Sequence, residues 1–371
     1  MDAQRLRDSF ARVAMHGDEV PLYFYSDLFL RHPETREMFP VSMAAQRDRL
    51  VSALATVVSN AHNLPELSGY LADLGRDHRK FGAVPDHFEA VGTSLLATLA
   101  HFSGEEWSDS LAAEWAAAYQ LVSEVMIEAA GEDGKSRPAW WEATVVSHEL
   151  RRFDIAAFRV SLSEPLDYLP GQSVSMESSA RPRLWRFYSM ANAPRPDGTL
   201  DFHVRALDGG ALSMALTRGL TVGSRLRLGP PVGTLTFRTG SRRDVLLVAG
   251  STGLAPLKAI AEQIAGLAER PRVHLFVGSR TADGLYDLPE LEKLAAASPW
   301  LTVVPVVTSE PGYQGESGPL PEVIARNGNW REHDAYVSGP SGMVEATASQ
   351  LAAQGVPQDQ IRVEDFGWSD S

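Results

Sequence analysis

Val245-Leu-Leu-Val-Ala249 runs directly into Gly250-Ser-Thr-Gly-Leu-Ala-Pro256, and the stretch that follows, Leu257-Lys-Ala-Ile-Ala-Glu-Gln-Ile264, has apolar residues at helical spacing. A short apolar run bounded by glycine reads as a buried strand, and the turn after it opens a helix. Such a turn lets backbone N–H groups and the positive end of the helix approach a pyrophosphate without interference from a Cβ. The spacing is not G-x-G-x-x-G, so the need for glycine between strand and helix explains this turn as well as a phosphate does. A second turn alters the balance. Tyr336-Val-Ser-Gly-Pro-Ser-Gly-Met343 follows another apolar strand, and both turns would fall at the carboxyl edge of one sheet, where ligands bind in open α/β folds.

Outward from this stretch, strands and helical segments alternate from Arg243 on: Val273-His-Leu-Phe-Val-Gly-Ser279 before a helical run, Leu301-Thr-Val-Val-Pro-Val-Val307, and Tyr336 before Met343-Val-Glu-Ala-Thr. This order predicts a parallel sheet with crossover helices, an α/β nucleotide-binding domain over residues 241–371. Between Trp141 and Thr239 the chain reads as short β runs between Gly and Pro turns, an antiparallel β-barrel over residues 137–240. Before that it is all-α, with breaks expected at Gly17, Pro33, Pro40, Pro65, Pro85 and Ser103 to Ser108. The polar run Gly131-Glu-Asp-Gly-Lys-Ser-Arg-Pro138 has the composition of a linker, which places the first domain at residues 1–136.

The composition excludes several chemistries. With no cysteine, thiolate zinc sites, iron–sulfur clusters, disulfides and cysteine nucleophiles are ruled out. A net charge of −13, from 34 Lys and Arg against 47 Asp and Glu, argues against nucleic acid or an anionic membrane as partner. No long apolar run and no basic-headed apolar leader occur, so a soluble, cytoplasmic protein without a transmembrane segment is expected. Nothing points to an obligate protein partner.

In the barrel region, Arg186-Phe-Tyr188-Ser189 places an Arg, an aromatic ring and a hydroxyl within four residues. Such a set can pair a phosphate, cover a planar ring and bond its edge, although an ordinary strand with a snorkelling Arg looks the same. Gly209-Gly210-Ala-Leu-Ser213 reads as a helix start able to face a second phosphate. Together with Gly250, Thr252, Gly253 and Pro256, with Ser338-Gly339-Pro340, and with Glu364-Asp-Phe366-Gly, these strings resemble the ferredoxin–NADP reductase-type module over roughly residues 140 to 371. The resemblance implies FAD on Arg186, Tyr188 and Ser189, and a nicotinamide nucleotide at the later turns. It also implies that Phe366 covers the flavin face opposite Tyr188 and moves aside for nicotinamide. Ser279-Arg280 suits a 2′-phosphate, but the acidic groups after it favour NADH over NADPH.

Most histidines in proteins bind nothing. Here Tyr23-Phe-Tyr25, Glu37-Met-Phe39-Pro, Gln46-Arg-Asp-Arg-Leu50 and Asp77-His78-Arg-Lys-Phe81 resemble the globin domain of bacterial flavohaemoglobins, so that the resemblance spans essentially the whole chain. It implies haem b with His78 as the iron ligand, Phe39 packed on the porphyrin, and Tyr25 with Gln46 as the distal pair. His87, at a helix start, is the competing ligand, and His62 falls in a loop. The family's proximal Tyr corresponds to Phe88 and its proximal Glu falls near Glu132, while Ser338 stands where the family has Cys. These departures weaken the expected electron push on iron and alter hydride transfer without abolishing it.

The function so implied is electron transfer from NADH or NADPH through FAD to haem, with dioxygen and nitric oxide as substrates and nitrate as product. One alternative is a flavin dehydrogenase fed by a small organic acid such as D-lactate, with the globin as acceptor. Another is a non-enzymatic oxygen or redox sensor, for which Gly367-Trp-Ser-Asp-Ser371 leaves little room for an output domain.

Overall fold

In the computed structural model, which describes residues 2–60 and 62–366, the chain divides into two compact units, one ending at Trp140 and one beginning at Trp141. The first is helical. Helix α1 (Ala3–Ala14) starts where the Asp2 carboxylate accepts the N–H groups of Gln4 and Arg5, at 3.0 and 3.1 Å. Helix α2 (Glu19–Arg31) follows a left-handed turn at Gly17, and a 3₁₀ turn spans Pro33–Met38. Helices α3 (Ala44–Ser59), α4 (Leu64–His78), α5 (Pro85–Ser103) and α6 (Asp109–Gly134) complete the unit. Pro65 and Pro85 lie in first turns, where the missing N–H has no intrahelical partner to lose. The stretch read as a linker departs from expectation at its start, because α6 continues through Gly131 to Gly134. The Asp133 carboxylate takes both Arg79 and Arg137 there, which holds the last turn in place.

Leu6, Val13, Phe24, Leu28, Leu99, Leu111 and Trp115 fill the core of this unit, and the Trp115 indole donates to the buried Ser9 hydroxyl at 3.2 Å. Two glycines inside helices set its packing. A Cβ on Gly75 would stand 2.7 Å from the Met126 Cα, and one on Gly92 would stand 2.8 Å from the Tyr119 ring. Glycine costs about 1 kcal/mol in a helix; here it lets α4 approach α6, and α5 approach Tyr119, closely.

The second unit begins with an antiparallel sheet of β1 (Trp141–Arg152), β2 (Ile155–Leu162), β3 (Ser173–Ser178), β4 (Arg181–Ser189), β5 (Leu200–Arg205) and β6 (Arg225–Val232), in the order β4-β3-β6-β1-β2-β5. A bridge between Met190 and Phe202 draws the two edges together, so the sheet curls into a half-barrel around Val145, Val160, Met176, Phe202 and Leu228. Helix α7 (Ala211–Arg218) packs against its end. A parallel sheet follows, made of β7 (Asp244–Gly250), β8 (Val273–Ser279), β9 (Leu301–Val307), β10 (Glu316–Ser317), β11 (His333–Gly339) and β12 (Ile361–Asp365) in the order β10-β9-β8-β7-β11-β12. Helices α8 (Leu254–Ala265), α9 (Leu288–Ala296), α10 (Leu320–Asn327) and α11 (Ser341–Ala353) make the crossovers. Both faces of β7 are covered, which is why the strand reads as an unbroken apolar run rather than an alternating one. The strand order reverses between β7 and β11, and the crevice outside their carboxyl ends is therefore the place where such a sheet binds ligands.

Buried polar contacts fasten the half-barrel to the parallel sheet. The His203 Nδ1 and the Tyr286 hydroxyl lie 2.9 Å apart, the Lys258 ammonium pairs with the fully buried Asp287 at 2.6 Å, and the Ala193 N–H donates to Glu262 at 3.1 Å. Burial pushes the His203 imidazole down to about 4, so it is neutral at physiological pH.

Phe202 has no exposed surface and lies 5.6 Å, centroid to centroid, from Phe158. Phe202→Ala should lower the stability of the second unit by about 3–5 kcal/mol, read as an earlier denaturant midpoint. A change below about 1 kcal/mol would place the core of this unit elsewhere.

Candidate functional site

In the helical unit, the Tyr25 side chain is buried between Phe24, Phe29 and Phe39, with ring centroids 4.9 to 5.8 Å apart. Its hydroxyl donates to the backbone carbonyl of Gln46 at 3.3 Å. Burial pushes this phenol up to about 12, against the opposing pull of Gln46 and the charge of Arg49, so it remains a hydrogen-bond donor at any physiological pH. Tyr25 and Phe39, far apart in sequence, thus share one apolar cluster with Met43, Leu50 and Leu54, and the Tyr25 hydroxyl reaches the Gln46 backbone from it. The charge of Arg49 acts on both the Tyr25 phenol and the Lys80 ammonium.

His78 is the last residue of α4, and its Nδ1 lies 2.7 Å from the Leu74 carbonyl oxygen. A carbonyl can only accept, so Nδ1 carries the proton and Nε2 keeps the lone pair that a metal requires. Burial lowers the imidazole pKa, which favours the same neutral form. The Phe88 ring stands 6.4 Å from His78, and the Tyr119 hydroxyl donates to the Phe88 carbonyl at 2.6 Å. Glu132 is exposed and paired with Lys135, so it does not supply a carboxylate to the imidazole. His87 is engaged otherwise: its Nδ1 accepts the Val84 N–H at 3.2 Å at the start of α5. His62 lies in an exposed turn.

In the second unit the motifs converge at the carboxyl edge of the parallel sheet. Ser338 pairs with Ala249 on one side and Glu364 on the other. A Cβ on Gly253 would meet the Ser338 carbonyl and stand 2.7 Å from the Gly339 nitrogen, so only glycine lets the two turns touch. Thr252, Gly253 and Pro256 are buried around this contact, and Gly250 packs against Pro340. Ser251 is held at φ 52°, and Arg205, an unforeseen participant, donates to its hydroxyl at 3.4 Å. The Ser338 hydroxyl is fully buried and has no hydrogen-bond partner among the described residues. A polar atom left thus suits a ligand that brings a partner of its own.

Across the crevice, Arg186 and Tyr188 point to one face of β4 by strand alternation, paired with Met176 and Val174 of β3. Ser189, at the end of β4, donates to the Glu364 carboxylate at 3.2 Å. Glu364 belongs to a quoted motif, yet it carried no assigned role, because nothing in sequence shows that residues 189 and 364 meet. Burial pushes its carboxyl up to about 7; the Ser189 bond opposes this and the Asp365 charge adds to it. A carboxyl that titrates near neutrality while touching a hydroxyl can take up or release a proton. The Phe366 N–H donates to the Gly339 carbonyl at 3.2 Å, which pins this residue beside the Ser338 turn. Gly367, the end of that motif, lies outside the described residues.

Gly209 and Gly210 do lead into α7, but the Ser213 hydroxyl is turned to its own loop, donating to the Gly210 carbonyl at 3.0 Å and accepting the Leu207 N–H at 3.1 Å. Near Arg280 the acidic groups are committed as well: Glu310 accepts the Ala282 N–H at 2.7 Å and Asp283 pairs with Arg152 at 2.7 Å. Among the described residues no helix is long and apolar enough to cross a membrane.

Comparison with known proteins matches residues 22–126 to the globin family, 141–237 to the oxidoreductase FAD-binding domain and 247–349 to the oxidoreductase NAD-binding domain. The flavohemoprotein of Rhodopirellula baltica is 26% identical, with 96% of this chain and 94% of that protein aligned. The ferredoxin–NAD(P)+ reductase CarAd of Metapseudomonas resinovorans is 34% identical over 61% of this chain and 68% of its own length. Among solved structures, a flavohemoglobin from Malassezia yamatoensis with bound FAD and heme superposes with a TM-score of 0.77 over 98% of both chains, at 17% identity, which is a likeness of fold.

Because the folded-state pKa of Glu364 is raised, its neutral form is favoured by folding, and the stability it contributes is present below the unfolded value and lost as pH climbs through the folded one. Stability of the second unit should therefore decline between about pH 5 and about pH 8, and Glu364→Gln, which keeps a neutral side chain, should flatten that decline. An identical pH profile for the variant in denaturant titrations would remove Glu364 from this role.

Proposed function

Starting from a chain that belongs to the flavohaemoglobins, oxidoreductases that join a globin domain to an FAD- and NAD-binding reductase module and use haem, FAD and a nicotinamide nucleotide, we propose that this protein is a nitric oxide dioxygenase that converts nitric oxide and dioxygen to nitrate at the expense of NADH. The observation that supports this most is a pair of buried groups in the helical unit, a phenol bonded to the Gln46 backbone and an imidazole whose Nδ1 is already committed to Leu74.

When bound, the nicotinamide, FAD and haem would supply hydride and single-electron redox chemistry. The residues supply alignment and charge. His78 would present Nε2 to the iron, and Phe39 would pack against the porphyrin. The Gln46 amide would donate a hydrogen bond to the oxygen of a bound ligand, and the Tyr25 hydroxyl would do so by turning from the Gln46 carbonyl to which it now donates. The Leu74 carbonyl is a neutral acceptor and makes the imidazole less electron-donating than a carboxylate would. Together with Phe88 in the family's Tyr position and the outward Glu132, this leaves the imidazole a weaker electron donor to a haem it would hold.

On the reductase side, Arg186 would pair with a flavin phosphate, and Tyr188 and Phe366 would cover the flavin ring. The backbone at Gly209 and Gly210 serves a second phosphate, while Ser213 braces that loop. Ser189 and Glu364 hold a proton at the flavin edge. The turns Gly250 to Gly253 and Ser338 to Pro340 take the nicotinamide nucleotide, with Pro256 fixing the start of α8. The acidic stretch that follows Arg280 disfavours a 2′-phosphate, so NADH is preferred to NADPH, although the Asp283 charge is partly offset by Arg152.

A nitric oxide electrode trace on the haem- and FAD-loaded protein in aerated buffer should show sustained consumption with NADH, slower with NADPH. Consumption that stops after one equivalent per haem in the presence of NADH would reject the reading. Tyr25→Phe should raise the dioxygen dissociation rate by about tenfold, the loss of a hydrogen bond worth about 1.5 kcal/mol, with a matching fall in turnover. An unchanged rate in rapid mixing would displace Tyr25 from the distal side. His78→Ala should lose the haem spectrum and keep the flavin spectrum, whereas a normal haem spectrum would move the ligand to His87.

A further inference from the structure

Strands β1 and β2 meet in a short hairpin: Arg152 pairs with Ile155, and Phe153 and Asp154 form the tip. Hairpin tips of this length favour Asn, Asp and Gly in left-handed backbone, yet neither residue here has a positive φ. Turn chemistry therefore does not call for the aromatic, and Phe153 is 67% exposed. A lone exposed ring is ordinary on a surface; this one is held in a particular place. The buried Asp154 carboxylate accepts Arg152 at 3.0 Å and Arg205 at 2.9 Å. Arg205 goes on to the Ser251 hydroxyl in the turn after β7, and the Arg152 Nε donates to Asp283, in the turn after β8, at 2.7 Å. The hairpin tip is thus fastened to both turns at the carboxyl edge of the parallel sheet. The Arg152 guanidinium carbon also lies 4.6 Å from the Phe153 ring centroid, a cation–π contact that steadies the ring.

We propose that Phe153 stacks on the adenine of the nicotinamide dinucleotide, so that the half-barrel, and not the parallel sheet alone, supplies an adenosine subsite. The inference rests on the reading that the nucleotide lies over the turns Gly250 to Gly253 and Ser338 to Pro340. With the nicotinamide end at Ser338 on β11 and the pyrophosphate at the turn after β7, the adenosine end extends to the next strand of the sheet, β8. Beside the turn that follows β8 stand Asp283, its partner Arg152 and, one residue on, Phe153. A purine offers a flat π face, and an aromatic side chain stacks on that face without reading the polar edge of the base. The subsite therefore recognises the base and leaves the choice at the 2′ position to the stretch after Arg280.

The test uses the full chain loaded with haem and FAD, mixed rapidly without oxygen with NADH or with reduced nicotinamide mononucleotide, which lacks the adenosine half, while flavin bleaching is followed against nucleotide concentration. Phe153→Ala should lower the preference for NADH over the mononucleotide about tenfold, and the change should appear in the apparent dissociation constant for NADH rather than in the limiting bleaching rate. Titration calorimetry with ADP-ribose should show the same weakening, and Phe153→Trp should restore both. An unchanged preference with unchanged ADP-ribose binding in Phe153→Ala overturns the proposal, as does an equal loss with the two nucleotides. Release of FAD from the variant, read as free flavin fluorescence, overturns it too, since the ring then serves the adenine of FAD itself. If neither nucleotide bleaches wild-type flavin and ADP-ribose does not bind, the nicotinamide reading has failed and the subsite falls with it.

Discussion

At the carboxyl edge of the parallel sheet two turns touch through bare backbone. Gly253 has no room for a Cβ against the Ser338 carbonyl and the Gly339 nitrogen, so the strand-to-helix turn after β7 and the one after β11 form a single surface. The rest of the reductase half is arranged around that contact. β12 pairs with β11 and carries Glu364 to Ser189 of the half-barrel, and the main chain at Phe366 is tied to Gly339. The polar seam of His203, Tyr286, Lys258 and Asp287 keeps the two sheets of this unit in register. Burial there keeps His203 neutral, so this histidine stays uncharged over the physiological range.

The helical unit solves a comparable problem with the same device. Gly75 removes the side chain that would separate α4 from α6, and His78 emerges three residues later at the helix end. There the last-turn carbonyl of Leu74 fixes its tautomer. In both units a close backbone approach lies beside the candidate site, and a carbonyl or carboxylate orients a side chain there. Preorganisation of this kind costs helix propensity at Gly75 and Gly92, and packing against Met126 and Tyr119 offsets that cost.

Much of this was legible from residues alone. Helical spacing before Ala130, β runs between turns from Trp141, and strand–helix alternation after Arg243 correspond to the helical unit, the half-barrel and the parallel sheet. Prolines 33, 65 and 85 open helices or turns because their missing N–H is harmless only there. Less legible were features made by pairing over long separations. Glu364 gains its meaning from Ser189, 175 positions away; Arg205 from Ser251; and Asp133 from Arg79. The polar run at Gly131 looked like a linker because charged residues and glycine are usually exposed, but here the charges are consumed in closing α6. Ser213 looked free to bind phosphate, and its hydroxyl is taken by its own loop.

Periodicity, glycine and proline placement, and the order of short motifs determined the element types, the three classes of architecture and the family, because these follow from local sterics and from which face of each element is apolar. The tertiary structure alone decided which nitrogen of His78 is left for a metal, that Glu132 turns to solvent, that Ser338 is buried without a partner, and that Glu364 titrates near neutrality. Each of those depends on desolvation and on a partner brought close by the fold, and neither is a property of a residue or of its neighbours in the chain.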